Sequence, residues 1–251
     1  MKYSLLSCCI VSAAILTSCA SGSKIRAQHT ANCSDKLHEA IVKFDTKHFA
    51  SAQYLLTDIS AKCPGGTNGD TILLYLGKSW LGMKKPDEAK TEFNRLMQSF
   101  PNSPLIEEAK YLAGYSAYRT ANPETLDQTS TKEALQTLQN FVDRFPLSPF
   151  ADSAKFYMRK CADKLIHKEF QTARFYETIT QFESAVVYYR YIIDEYPNCT
   201  LIFQVKLLMA QDLLKLNRNE EANALLDDLL ANCSDAAILK DARMLRVQDA
   251  H

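Results

Sequence analysis

The sequence predicts an all-α chain, an array of about five stacked helical hairpins closed by a C-terminal helix. Two observations carry that reading, and a third bounds the partners. First, an alanine (Ala52, Ala89, Ala134, Ala185, Ala222) is followed four residues later by a large apolar residue (Leu56, Phe93, Leu138, Tyr189, Leu226). Seven residues after each alanine stands another (Ile59, Leu96, Phe141, Ile192, Leu229), and twelve after it Pro64, Pro101, Pro146, Pro197 or Ser234. Steps of four and three trace one helical face, and proline then ends the helix. Second, 7 Gly and 8 Pro in 251 residues are few, and no Gly follows Gly114. Third, 29 acidic and 29 basic side chains balance, which argues against a polyanion-binding surface and so against nucleic acid as a partner.

The elements follow in order. Helices over 34–46 and 49–62 form the first hairpin, with Ala40 as the small contact residue twelve before Ala52. The second, 70–82 and 86–99, is the most regular. With Asp70 in first position, Leu73, Leu76, Gly77, Trp80, Ala89, Phe93, Leu96 and Pro101 fall on the consensus of the tetratricopeptide repeat, a helix–turn–helix unit of about 34 residues. By that resemblance the fold is a right-handed superhelical array of tetratricopeptide-type hairpins, an architecture built for binding. The third hairpin, 104–119 and 131–144, breaks the rule, because Gly114 stands twenty residues before Ala134. A loop over 120–130 absorbs the excess, and Ser130 with Glu133 predicts a capping box. The junctions Pro101-Asn102-Ser103-Pro104 and Pro146-Leu147-Ser148-Pro149 each predict a Ser N-cap with Pro at the first helical position.

The key alanines are 37, 45, 51 and 37 residues apart, and the second excess is helical. Phe150, Ala154, Tyr157, Cys161, Leu165, Phe170, Ala173 and Tyr176 keep helical phase without Gly or Pro between them. One helix over 149–178, about 45 Å long, is therefore expected. It would set three N-terminal hairpins apart from two C-terminal ones. Helix 181–195 completes the fourth hairpin, 200–215 (with Ala210) and 218–231 form the fifth, and 235–249 closes the array.

The N-terminus carries a second signal. Met1-Lys2-Tyr3 is a short positive segment, Leu5 to Leu16 an apolar core, and Leu16-Thr17-Ser18-Cys19 resembles a bacterial lipobox. An ordinary secretory signal with an incidental Cys19 is the alternative. A membrane-spanning anchor is disfavoured by the short apolar run with Ser7 and Ser12 in it. The organisation expected is thus a lipoprotein signal peptide over 1–18 and a lipidated flexible tether over 19–32. Repeats 1–3 would occupy 33–148 as a substrate-binding half. The long helix, repeats 4–5 and the C-terminal helix would occupy 149–251 as a docking half. Cys19 would carry an S-diacylglycerol and an N-acyl chain, and no other cofactor is expected. Ala20, where aspartate would favour inner-membrane retention, resembles an outer-membrane address on the periplasmic face.

The irregular segments resemble the BamD family, the tetratricopeptide lipoproteins of the outer-membrane β-barrel assembly machine. The residues that carry the resemblance are Asp127-Gln128-Thr129 with Thr131 and Ala134, Phe145-Pro146, and Ser148-Pro149. Lys168-Glu169-Phe170 with Ala173-Arg174-Phe175-Tyr176, and Glu195-Tyr196-Pro197, complete it. The resemblance implies a non-enzymatic scaffold whose C-terminal repeats dock on the BamA-like barrel protein and whose N-terminal repeats engage unfolded outer-membrane proteins. It also implies an arginine contact to BamA in the second helix of the fourth repeat. Here that position is Tyr188, and Arg190 follows on a different helical face. A lipidated pilotin for a secretin or pilus system is the alternative, and the spacings of 45 and 51 residues speak for the first reading.

In a tetratricopeptide array the first helix of each hairpin lines the concave groove. In the N-terminal half those positions are Leu37, Ile41 and Phe44, then Leu74, Lys78 and Leu81, then Tyr111, Tyr115 and Tyr118. They would hold an extended barrel strand, with aromatic side chains on the tyrosines and the terminal carboxylate at Lys78. The competing reading buries the aromatics against neighbouring helices.

Two readings are likewise open for the cysteines. Cys33 with Cys63, and Cys199 with Cys233, stand at the two ends of the terminal hairpins and could staple them in an oxidising compartment. Alternatively they are small buried thiols, as Cys161 is expected to be. No His-x-x-x-His or Cys-x-x-Cys pair, phosphate-binding glycine loop or Gly-x-Ser-x-Gly elbow occurs. Neither an enzyme, a metal site nor a small-molecule substrate is therefore expected.

Overall fold

A computed structural model describes residues 33–62 and 68–248. The signal segment, Cys19, the tether, Cys63 and Pro64 lie outside them. Among the described residues there are helices and no strand. Helix α1 covers 33–45, α2 Phe49–Lys62, α3 Gly69–Gly82, α4 Pro86–Ser99 and α5 Ile106–Thr120. Then come α6 Thr129–Arg144, α7 Ala151–Thr178, α8 Phe182–Glu195, α9 Ile202–Lys215, α10 Asn219–Asn232 and α11 Ala236–Gln248. Within the described residues α2, α3 and α4 pack in succession, as do α6 through α11, so the all-α repeat array is as the sequence predicts.

The alanine lattice is the core. All five key alanines are 0% exposed, and their ten apolar partners are 2% exposed or less. Each large side chain so buried contributes about 1.5–3 kcal/mol. The small residues on the facing helix let the backbones approach. A Cβ added to Gly77 would stand 2.5 Å from the Phe93 ring. Ala40, Ala173 and Ala210 are likewise fully buried.

Four hairpins turn in one way. Lys47, Lys84, Thr180 and Asn217 have φ near +60°. In the second hairpin the Lys85 N–H donates to Trp80 C=O (2.9 Å) and the Lys84 N–H to Leu81 C=O (3.0 Å). The same pair of bonds closes α1, α7 and α9. This is the Schellman ending, normally built on glycine, which satisfies the last helical carbonyls. Each left-handed residue stands five before a key alanine.

The third hairpin departs from the rest. Helix α6 starts two residues earlier than expected, and the predicted capping box is not formed. Ser130 Oγ accepts from the Asn122 N–H (3.3 Å), while Asp127 Oδ1 receives the Thr129 N–H (3.0 Å). Buried Gln128 holds the loop together. Its Nε2 donates to the carbonyls of Pro123 (2.7 Å) and Leu126 (3.1 Å), and its Oε1 accepts from Thr131 (2.7 Å). Lys168 Nζ donates to Leu126 C=O (2.6 Å), which ties the loop to α7. The Ser-Pro junctions do cap: Ser103 and Ser148 Oγ accept from the N–H groups of Leu105 and Phe150, both at 3.1 Å. The first turn they cap is of 3₁₀ type, with Ile106 N–H to Ser103 C=O and Ala151 N–H to Ser148 C=O. The α-helices therefore begin two residues later than the sequence suggests.

The chain divides into two compact units, up to Ser116 and from Ala117. The sequence-based division at 148 follows repeat number, whereas the packing boundary falls inside α5. Ala109 and Ala113 pack with Leu73, Phe93 and Leu96, while Ala117 packs with Ala134 and Cys161. Within the C-terminal unit the small residue of α5 that meets Ala134 is Ala117. Helix α7 is continuous over 28 residues. Its first half meets α6 through Cys161, and its second half meets α8 and α9 through Ile166 and Ala173.

Candidate functional surfaces

In the N-terminal unit the first helices of successive hairpins present a strip of aromatic and charged side chains. The Phe44 ring meets Tyr75 edge-on at 5.3 Å and Phe49 at 5.6 Å. Lys78 Nζ lies over the Tyr75 ring, 5.2 Å from its centroid. It also pairs with Glu108 Oε1 at 2.6 Å. One and two turns beyond Glu108, Tyr111 and Tyr115 stack with centroids 6.4 Å apart. The strip runs from α1 through α3 to α5, and its members are half-buried.

Not every expected groove residue belongs to it. Leu37 (5% exposed) and Leu74 (2%) are core residues, because that register points at the neighbouring helices. Ile41 and Leu81 are half-buried and pack on the cores beneath. Tyr118 belongs to the C-terminal unit, where it packs on Ala117 and Ala134 with its ring 4.9 Å from Tyr157. Tyr118 thus shows the packing on neighbouring helices that the competing reading describes. Tyr75 escaped notice in the sequence, although its place one turn before Lys78 is the signal that could have found it.

In the C-terminal unit, Tyr188 and Arg190 separate. Tyr188 stacks on Tyr176 (5.4 Å, 16° between planes) and packs on the core. Burial foremost, and then Tyr176, pushes its phenol above the ordinary range. Arg190 faces outward and pairs with Glu221 at 2.8 Å. Arg218 holds the same carboxylate at 2.6 Å and Glu183 at 3.0 Å. Its guanidinium, more than that of Arg190, keeps the Glu221 carboxyl below the usual carboxylate range. Exposed Val187 and Tyr191 stand beside them on α8, bordering a cleft of about 350 Å³. A second cleft of about 530 Å³ lies between α7 and the 196–200 connection, lined by Phe156, Ile166 and Tyr196.

Cys161, Cys199 and Cys233 are free thiols, so the proposed Cys199–Cys233 staple is not formed. Both side chains are spent on packing instead. Cys233 is 9% exposed in the C-terminal core with the Asp235 N–H on its Sγ (3.4 Å), and Cys199 packs against the same core. Cys33 is disulfide-bonded, and its partner lies outside the described residues. No described helix is long and apolar enough to cross a membrane, and the described residues hold no cluster of potential metal ligands.

The sequence pattern of the YfiO family, described as outer membrane lipoprotein, matches residues 31–226. The chain is similar to the outer membrane protein assembly factor BamD of Caulobacter vibrioides, 24% identical over 135 residues. That match covers 54% of this chain and 44% of the relative, less than half of the relative's length. BamD of Pasteurella multocida is 23% identical over 186 residues, 69% of this chain and 71% of that one. Among solved structures, the TPR domain of P58(IPK) is 14% identical and covers 92% of this chain and 59% of its own, with a TM-score of 0.46.

Proposed function

Because this chain belongs to the YfiO family of outer membrane lipoproteins, we propose that it is a non-enzymatic scaffold in the assembly of outer-membrane proteins. It would be tethered by lipid on Cys19 to the periplasmic face of the outer membrane. In this reading the N-terminal unit receives unfolded outer-membrane proteins, and the C-terminal unit docks on a BamA-like barrel protein. The observation that carries the first part is the strip from Phe44 to Tyr115. It offers half-buried aromatic surface with one cation in its middle, suited to an extended segment with aromatic side chains and an acidic end. For docking, the outward face of α8 is favoured, with Val187, Arg190 and Tyr191 around the smaller cleft.

Affinity purification from solubilised outer membranes tests the proposal. Co-purification of a BamA-like barrel protein, lost on Arg190→Glu with Val187→Asp, supports it. Recovery of a secretin in its place would overturn it. Metabolic labelling with a fatty acid, abolished by Cys19→Ala, checks the tether.

A further inference from the structure

A carboxyl group lies in the core where α7, α8 and α9 meet. Asp212 on α9 is 0% exposed. Its Oδ1 accepts from Lys215 Nζ at 2.9 Å, and its Oδ2 is buried with no donor on it. Within hydrogen-bonding reach is a second carboxyl, that of Glu177 on α7. Glu177 Oε1 accepts from the Tyr189 hydroxyl of α8 at 2.6 Å, and Oε2 is paired with Arg174. Each of the other three carboxyl oxygens thus has a donor, and Asp212 Oδ2 alone has none. Lys215 itself is half-exposed, and its ammonium lies 4.3 Å from the Phe182 ring centroid. The ionisable groups that act most on Asp212 are Lys215 of its own helix and Glu177 of α7.

Two ionised carboxylates in this largely buried place would repel each other, and one buried oxygen would stay unsatisfied. A single proton removes both faults. On Asp212 Oδ2 it becomes the missing donor, and Glu177 keeps the charge that Arg174 and Tyr189 already satisfy. We propose that Asp212 is neutral in the folded protein and donates its carboxyl proton to Glu177, a proton-dependent tie between α9 and α7 that makes the C-terminal unit pH-sensitive. The balance of causes agrees: burial, the largest, and Glu177 push the Asp212 carboxyl upward, against Lys215.

The sign follows from linkage. A carboxyl whose folded value is raised contributes its full share of stability below the unfolded value of about 3.9. That share is lost as pH rises through the folded value. The mechanism also predicts what replaces the acid. In Asp212→Asn the amide N–H can donate to Glu177 while the amide oxygen still accepts from Lys215.

The test is equilibrium unfolding of the full-length protein between pH 4 and 8, wild type against Asp212→Asn. In the wild type the unfolding constant should rise by up to about tenfold per pH unit above the unfolded value, until the folded value is passed. The variant should lack that segment and be at least as stable at pH 7. Loss of stability at pH 7 with an unchanged pH slope would overturn the proposal, since it would mark Asp212 as the ionised partner of Lys215. Should the variant fail to fold, carboxyl carbon-13 NMR titration of the wild type decides. A midpoint above the ordinary aspartate range supports the tie, and an ordinary midpoint overturns it.

Discussion

Lys78 Nζ and Glu108 Oε1 stand 2.6 Å apart, joining α3 to α5 in the middle of the aromatic strip. The cation expected to receive a terminal carboxylate already has one. A peptide carboxylate must therefore displace Glu108 before it gains Lys78. Both side chains are about a quarter exposed, so the pair contributes about 0.5–1 kcal/mol. Glu108→Gln should free the ammonium and tighten a carboxylate-ended barrel-strand peptide about two- to fivefold. Lys78→Met should erase the difference between that peptide and its C-terminal amide. Fluorescence anisotropy reads both, and equal affinities for acid and amide in every variant would remove Lys78 from the site.

The tyrosines should separate by substitution. Tyr111 and Tyr115 stack on each other in the strip, whereas Tyr118 lies against Tyr157 beside the Ala117–Ala134 contact. The stack adds about 0.5–1.5 kcal/mol beyond the area the rings bury, and Tyr111→Ala and Tyr115→Ala should lower peptide affinity more than they lower stability. Tyr118→Ala should instead destabilise the C-terminal unit by about 2–4 kcal/mol. Urea unfolding alongside peptide titration distinguishes the two classes. The idea fails for Tyr111 and Tyr115 if their variants unfold early or bind unchanged.

The hairpins and their cores were legible because helical period and burial say the same thing at Ala89, Phe93 and Leu96. The strip was legible only in part. A repeat position tells which helix a side chain leaves but not whether a neighbour covers it, and so the register alone points Leu37 and Leu74 to the groove although both are buried. The third hairpin misled for a different reason. Its insert is set by hydrogen bonds of one buried side chain, Gln128, with Pro123, Leu126 and Thr131. No periodicity marks such a residue. In the last hairpin the spacing of Cys199 and Cys233 marks ends that share one core, yet shared packing does not orient two thiols toward each other.

A side chain at Gly77 should bring no gain in stability. A Cβ there would meet three atoms of the Phe93 ring between 2.5 and 2.9 Å, and that ring is fully buried. Alanine gains about 1 kcal/mol of helix propensity over glycine. Overpacking costs about 1–3 kcal/mol, so the clash should win or at least cancel the gain. Gly77→Ala is therefore expected to be neutral to destabilising. Pairing it with Phe93→Leu should recover stability relative to Phe93→Leu alone. A stabilised Gly77→Ala single variant, by thermal or urea unfolding, would show that the ring can yield.

The four left-handed turn residues invite the opposite experiment. Lys84 holds φ near +60° without being glycine, at a cost of about 1–2 kcal/mol that glycine does not bear. Part of that gain is lost to the larger entropy of a glycine in the unfolded chain. Lys84→Gly should stabilise the N-terminal unit by about 0.5–1 kcal/mol, and Lys84→Val should cost more than Lys84→Ala. Thermal melts of the three variants give the ranking. An insensitive position would mean that the turn is held by its neighbours alone.

The cysteines should react in a fixed order. Burial pushes the Cys161 thiol up to about 11, and Lys164 opposes this only in part. At pH 8 the thiolate fraction is then about 0.001, and the thiolate is the form that alkylates. Native protein should therefore label slowly at Cys161 and quickly once unfolded. Cys199, half-buried and raised by burial to a smaller extent, should label ahead of it. In denatured, unreduced protein Cys161, Cys199 and Cys233 should all carry the label, because each is a free thiol. Cys33 should stay unlabelled until a reductant is added. Mass spectrometry of the digest decides the matter. A linked Cys199–Cys233 peptide would mean that the last hairpin can bring the two sulfurs together despite their packing into the core.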